Sequence, residues 1–520
     1  MNRQHTPVLI VGAGLAGTST ALFLAHHGVR ATLVDRHPST SNQPKARGQQ
    51  PTVMEALDAV GLTQAILAAT PPGRPEMTIT ICESVTGRVM HSFSEQFPDY
   101  AALSPAPMGM ASQQSAEAVL AARAAELGAD LRFGTRLDTF TQTADGVRAE
   151  LTDLTTGERY ELTADHLVGA DGHRGTIAGA LGIGTRSRNT FGSQTTVLFA
   201  ADLVDRVPDT AVLMYYLQNP ALPGGSGAFV STDVPGEYVA AMSADPDRTD
   251  QQVVDVIRTI VGIADLPVRV LGANTWEIGH RVVDRMSEGR VHLVGDAAHL
   301  MPPTGGQGGN TAMLDGVHLA WKLAAVVNGA AGPGLLRGHS AEQLPLVTRV
   351  ADWQYANMIE RQRPDLVDDT LPPPVDAAAL LFGYAMPTGA FVAEDGAAGL
   401  FEDPYAPSGR PGTRAPHVAL ARDGVTVSTR ELFFDGFVLL SGDEEWTAAA
   451  AKVAEGLGVR IDGHLIGGEL LDPEGGFARR YGLSGGGAVL VRPDGVIGWR
   501  STGAADAGQL DAALRTILDR

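Results

Sequence analysis

Gly12, Gly14 and Gly17 stand between an apolar run at residues 6–11 and a helical pattern at residues 15–27, and that placement admits few folds. The first glycine permits a tight turn, the second lets backbone approach a pyrophosphate, and the third lets helix pack on strand. The helix start then offers free N–H groups and a positive dipole end to an anion, with Leu15 as its first residue. A second strand at residues 30–34 runs into Asp35, placed to accept hydrogen bonds from ribose hydroxyls. Its charge would repel a 2'-phosphate, so the site suits FAD or NAD better than NADP.

Two later segments can complete such a site. Val168-Gly169-Ala170-Asp171-Gly172-His173-Arg174 ends a predicted strand, although Asp-Gly is also a common turn. Gly295-Asp296-Ala297-Ala298-His299 is followed by a Gly/Pro run from Pro302 and Pro303 through Gly306, Gly308 and Gly309 to Asn310, opening a helix at residues 311–327. There a strand-end acid can hold sugar-alcohol hydroxyls, while backbone N–H groups at the helix start face a ring system that becomes anionic on reduction. Acid and helix start together fit a ribityl chain and a flavin.

The rest of the chain reads as α/β. Residues 115–127 form an alanine-rich helix, and β-branched and aromatic runs between residues 185 and 242 predict an antiparallel sheet inserted into the nucleotide fold, a wall over its ligand. Residues 372–416, rich in Pro, Gly and Ala, read as a linker. Beyond it a strand at 437–440, a helix at 446–457 and the hairpin signal Arg492-Pro493-Asp494-Gly495 describe a further compact α/β domain.

Acidic residues outnumber basic ones 59 to 39, which disfavours nucleic acid as a partner. A single cysteine, Cys82, excludes intrachain disulfides and cysteine-rich metal sites. Residues 6–25 are uncharged, but their motif glycines and hydroxyl residues argue against a signal peptide or membrane span, leaving a cytoplasmic location as the expectation. Tyr216 and Phe229 could line an aromatic pocket or fill the core of the inserted sheet. His280 with Arg281 could point at substrate or sit in a solvated loop, and His299 reads as packing rather than as a base.

In their order and separations, the three motifs resemble those of class A flavoprotein monooxygenases of the para-hydroxybenzoate hydroxylase type. Within that group the chain is most similar to actinobacterial aromatic polyketide hydroxylases, and the resemblance extends through Asp403-Pro404-Tyr405-Ala406-Pro407 to the C-terminus. It implies a Rossmann-like FAD-binding domain (1–77, 111–184, 281–400), an inserted mixed or antiparallel β-sheet substrate domain (78–110, 185–280) and a thioredoxin-like C-terminal domain (410–520). It implies non-covalent FAD reduced by NADPH or NADH, then hydroxylation of a polycyclic aromatic or phenolic substrate with O2 through a flavin C4a-hydroperoxide.

By position, the resemblance assigns Gly12, Gly14, Gly17, Asp35 and Arg36 to the adenosine and pyrophosphate end, and counts Leu15, Lys45 and Leu137 among the FAD-binding residues. It gives Gln113 to the FAD backbone, Asp171 to FAD and nicotinamide, Asp296 to the ribityl chain, and Pro303, Gly306, Gly308, Gly309 and Asn310 to the flavin ring. Tyr216, Phe229, His280 and Pro302 are substrate candidates; no catalytic side chain is assigned and no metal is expected. Lys45 replaces a family arginine, with Arg47 nearby, and Ala178 replaces the arginine that closes the Asp-Gly motif. Glu342-Gln343 replaces a Glu-Arg pair, and Tyr384-Ala385-Met386-Pro387 replaces an arginine-bearing segment near relatives' substrates, predicting a different pocket. A Baeyer–Villiger or rearranging oxygenase, a flavin-binding protein without turnover, and a monomer or homodimer all remain compatible.

Overall fold

The computed structural model describes residues 4–43, 45–70, 74–96, 99–188, 191–208, 210–362, 366–396, 399–484 and 486–520. Gln4–Val11 is the central strand of an eight-stranded sheet, flanked in parallel by Thr32–Asp35 and Arg159–Gly169. Asp130–Phe133 and Val291–Leu293 extend it outward, also in parallel. Helices cover this sheet, so its central strands are almost wholly apolar. Register does the functional work: Val11 lies beside Val34 and Gly169, and Gly169 beside Leu293. The strand ends and the segments that follow them, carrying Gly12, Asp35, Asp171 and Asp296, therefore open on one edge of the sheet, where ligands of open parallel sheets bind.

The second sheet has seven strands, in the order Arg269–Glu277, Ser193–Ala200, Glu237–Ser243, Ser226–Ser231, Thr210–Gln218, Arg74–Cys82 and Val89–Gln96. It is mixed, because Thr210–Gln218 pairs in parallel with Arg74–Cys82, a strand that starts before the expected insertion and whose long-range pairing no local pattern announces. One face is sealed by helix Asp250–Val261, started by a Thr249/Gln252 capping box, over Phe199, Leu217, Phe229 and Tyr238. On the other face Val212 packs against Met110.

The third sheet, Ile461–Leu465, Phe437–Ser441, Ala488–Val491 and Ile497–Ser501, carries helices Glu444–Leu457 and Ala507–Leu518 and is thioredoxin-like. Residues 372–416 are not a free linker. They contain helix Ala377–Phe382 and bury Leu380, Phe382, Ala385, Met386, Phe391 and Ala415, because their apolar side chains fill the seam between domains. Two buried ionic clusters cross that seam. Glu55 meets Arg414 and Arg430, and Glu342 meets Lys322 and Arg492, with Asp494 also on Arg492. Among the described residues no helix is long and apolar enough to cross a membrane.

Candidate functional site

The three glycines carry different constraints. A Cβ on Gly12, whose φ is +109°, would lie 2.1 Å from the Ala170 carbonyl oxygen, and one on Gly17 would lie 1.9 Å from that of Gly12. A Cβ on Gly14 meets nothing nearer than Glu117 Oε1 at 3.8 Å. Protein packing therefore demands the first and third glycines, and the space before Gly14 is open for a ligand. No side chain caps the adjoining helix Leu15–His26, so its first N–H groups face that space. Asp35 borders it, accepting from the Ala13 N–H through Oδ2 and the His37 N–H through Oδ1, both at 2.7 Å, so this acid also braces the glycine turn. Arg36 is exposed and finds no partner among the described residues. Leu137 packs half-buried against the cluster holding Leu9 and Val34.

Toward the other end lies a second set of groups. Gln113 begins helix Gln113–Glu126, donates its N–H to the Ala46 carbonyl (2.7 Å) and its amide to Glu117 (2.6 Å). Of the two cations after the first helix, Arg47 is committed: it pairs with Asp233, in the turn between strands Ser226–Ser231 and Glu237–Ser243, at 2.6 Å and donates to the Met110 carbonyl. Lys45 is exposed, and its charge acts on Asp296, His173 and Glu117, so Lys45 is the cation left for a ligand. Asp171 Oδ2 caps the short helix Thr176–Ala180, accepting from the Thr176 hydroxyl and the Ile177 N–H, while its buried Oδ1 has no partner among the described residues. Ala178 is buried, part of the hydrophobic cluster beneath this turn.

Asp296 lies deep in the cleft with its carboxylate open to it, and no described residue hydrogen-bonds it. Desolvation by the surrounding protein raises its pKa, against the pull of His299, His173, Lys45 and Arg281. Behind it His299 and Asp315 form a fully buried pair at 2.6 Å, and Asp315 also accepts the Gly295 N–H at 2.8 Å. Burial alone would lower the His299 pKa, but Asp315, together with Asp296, more than reverses this. His299 is thus structural support for the Asp296 turn. The Pro302–Asn310 loop is clamped by three hydrogen bonds of side-chain amides: Asn310 accepts the Gln50 N–H at 2.8 Å, Gln50 donates to Gln307 at 2.7 Å, and Gln354 accepts the Gln307 N–H at 2.6 Å. Gly308 and Gly309 then open helix Gly308–Val327, which no side chain caps. Pro303 and Gly306 are exposed on this loop.

The substrate candidates divide. Tyr216, 38% exposed, stands on the sheet face opposite helix Asp250–Val261. Phe229 does not: it pairs with Tyr215 and is fully buried against Phe199 and Tyr238, because alternation along the strand sends it to the sealed face. His280 is neither substrate-facing nor solvated. It is buried 3.0 Å from Asp352, which also accepts from Arg186 and Arg188. Pro302 is buried with its carbonyl held by Gln354, which leaves the exposed Pro303 as the loop's open proline. Ala385 and Met386 are buried and Tyr384 donates to the Glu342 carbonyl, so this segment serves the domain seam rather than an open pocket. Sequence reading missed Glu117, whose only local signal is its position one helical turn after Gln113. It also missed Gln50, Asp233 and Gln354, which act across long sequence separations.

These features converge with comparisons to known proteins. Residues 5–354 match the FAD binding domain family, and residues 408–520 match the C-terminal domain of aromatic-ring hydroxylases. The chain belongs to the FAD-dependent aromatic-ring hydroxylases. This hydroxylase is 39% identical to aklavinone 12-hydroxylase RdmE of Streptomyces purpurascens over 100% of both chains. It is 36% identical to the tetracenomycin A2 monooxygenase-dioxygenase of Streptomyces glaucescens, over 100% of this chain and 98% of that one. The crystal structure of a ternary complex of aklavinone-11 hydroxylase with FAD and aklavinone matches it with a TM-score of 0.92 at 38% identity, covering 100% of both chains. The hydroxylase is therefore an FAD-dependent monooxygenase of the aromatic polyketide type.

Proposed function

We propose that this monooxygenase hydroxylates a polycyclic aromatic polyketide of the anthracyclinone class, taking one atom from O2 and its electrons from NADPH or NADH. The observation that carries the cofactor placement is the unpartnered Asp296 carboxylate on the same sheet edge as the open space before Gly14. The likeness to a hydroxylase crystallised with FAD and aklavinone supports the substrate class.

In this reading the Leu15 helix start and Gly14 receive the pyrophosphate, Asp35 the ribose, and Arg36 and Leu137 the outer adenosine. Gln113 and Asp171 flank the diphosphate and Asp296 accepts from the ribityl hydroxyls. The uncapped start of helix Gly308–Val327, with Pro303, Gly306, Gly308, Gly309 and Asn310 before and within its first turn, stabilises negative charge on the ring. Lys45 adds a cation on the same side. Bound FAD supplies the redox and oxygen chemistry; the protein orients the ring carbon, excludes water and fixes the electrostatics. Tyr216 and the open face of the seven-stranded sheet form the wall against which a flat polycycle rests.

The test is turnover of anthracyclinones with FAD, NADPH or NADH and isotopically labelled O2. The expected product is a phenol carrying one labelled oxygen. Label from water alone, or a lactone in place of a phenol, overturns the reading.

A further inference from the structure

Glu117 presents an electrostatic conflict. It is buried, with 1% exposure, and its Oε1 stands 3.8 Å from where a Gly14 Cβ would be, at the edge of the space argued above to receive a pyrophosphate. The carboxyl is fixed rather than free to swing away: Gln113 donates to Oε1 at 2.6 Å and the Ser41 N–H to Oε2 at 3.1 Å. Lys45 from the neighbouring loop favours its charged form, and Asp35 from the adjacent strand end disfavours it. Burial is the largest influence and by itself pushes its pKa up. A diphosphate here brings further negative charge against a carboxylate that cannot retreat, at short range and largely desolvated.

We infer that Glu117 is the protonated hydrogen-bond donor of the pyrophosphate site, taking up one proton from solvent when FAD binds and donating it from Oε1 to a phosphate oxygen. The inference rests on the placement of the pyrophosphate at Gly14. The balance is simple: one proton leaves bulk water and one O–H bond forms on Glu117, while Oε1 keeps a lone pair for Gln113 and Oε2 keeps the Ser41 contact. Glu117 is thus a positioning residue for the cofactor, and FAD affinity becomes a function of pH.

The experiment is calorimetric titration of the full-length apoprotein with FAD in buffers of different ionisation enthalpy, from pH 6 to 8.5. Uptake of about one proton per FAD is expected, with Kd rising up to about tenfold per pH unit on the alkaline side. Glu117→Gln keeps the shape and is a permanent neutral donor, once Gln113 turns its amide to accept. It should bind FAD at least as tightly as the parent at pH 8.5, with proton uptake lost. If the apoprotein does not survive flavin removal, retention of FAD by the holoenzyme on dialysis across the same pH range reads the same linkage. Unchanged proton uptake in Glu117→Gln, no uptake in the parent, or weaker binding by the variant at pH 8.5 overturns the inference. Gly14→Val separates the two claims: undiminished FAD binding by that variant refutes the pyrophosphate placement, whatever Glu117 does.

Discussion

Arg492 offers a demanding test of how the C-terminal domain is held. Its guanidinium is fully buried and donates to both Glu342 oxygens at 2.9 Å, to Asp494 Oδ1 at 3.0 Å and to the Ala390 carbonyl at 3.2 Å. Arg492→Met preserves much of the volume but leaves the Glu342 and Asp494 carboxylates buried, with Lys322 and the adjoining His318 as the remaining basic groups. Breaking a buried pair by removing one partner costs about 3–5 kcal/mol. At an unfolding entropy of about 2.1 cal/mol/K per residue, a unit of roughly 110 residues that melts alone loses about 13–22 °C, whereas a chain of 520 residues melting as one loses about 3–5 °C. Burial opposes ionisation of Glu342, but Arg492 and Lys322 overcome it and hold the carboxyl below its ordinary range. Such a carboxylate adds stability above the unfolded-state pKa and loses it as pH falls. The gap between parent and variant should therefore be widest above about pH 5 and narrow below about pH 4. Scanning calorimetry from pH 3.5 to 7.5 measures both features. A variant melting within about 1 °C of the parent at pH 7, or a gap that widens on acidification, refutes the reasoning.

Asp296→Ala should weaken FAD binding by roughly tenfold or more, the value of about 1.5–3 kcal/mol for a hydrogen bond to a charged group; equal retention of flavin on gel filtration would remove Asp296 from the site. His166, His292 and His339 are buried, and burial pushes all three pKa values down, His166 to about 4. The unfolded chain protonates them first, so denaturant stability should decline as pH drops from about 6.5 toward 4, and His292→Gln should flatten that decline. Cys82 is buried and burial pushes its thiol up to about 11, so Cys82→Ser should leave flavin reduction per mole of bound FAD unchanged; a large loss would revive a thiol role.

The nucleotide half was legible because its constraints are local. A glycine turn, a strand-end acid and a Gly/Pro loop before a helix each act within a few residues, and packing around Gly12 and Gly17 shows why no larger side chain fits. The domain seam was not legible. Asp494 reads as a hairpin acid, yet it is 4% exposed because His318 and Trp321 reach it across the domain boundary and Arg492 pairs with it from two residues away. His280 and Phe229 were ambiguous for a related reason: which side of a sheet meets a helix, and which acid lies over a histidine, depends on pairings such as Thr210–Gln218 with Arg74–Cys82 and on Asp352 some 70 residues away. The choice of Lys45 over Arg47 as the free cation likewise depended on Asp233 in the other domain. Local backbone geometry and capping chemistry are written in short stretches of sequence. Burial and charge pairing are properties of neighbours that only the folded chain brings together, and at this site they decide which of the available ionisable groups remain free to meet a ligand.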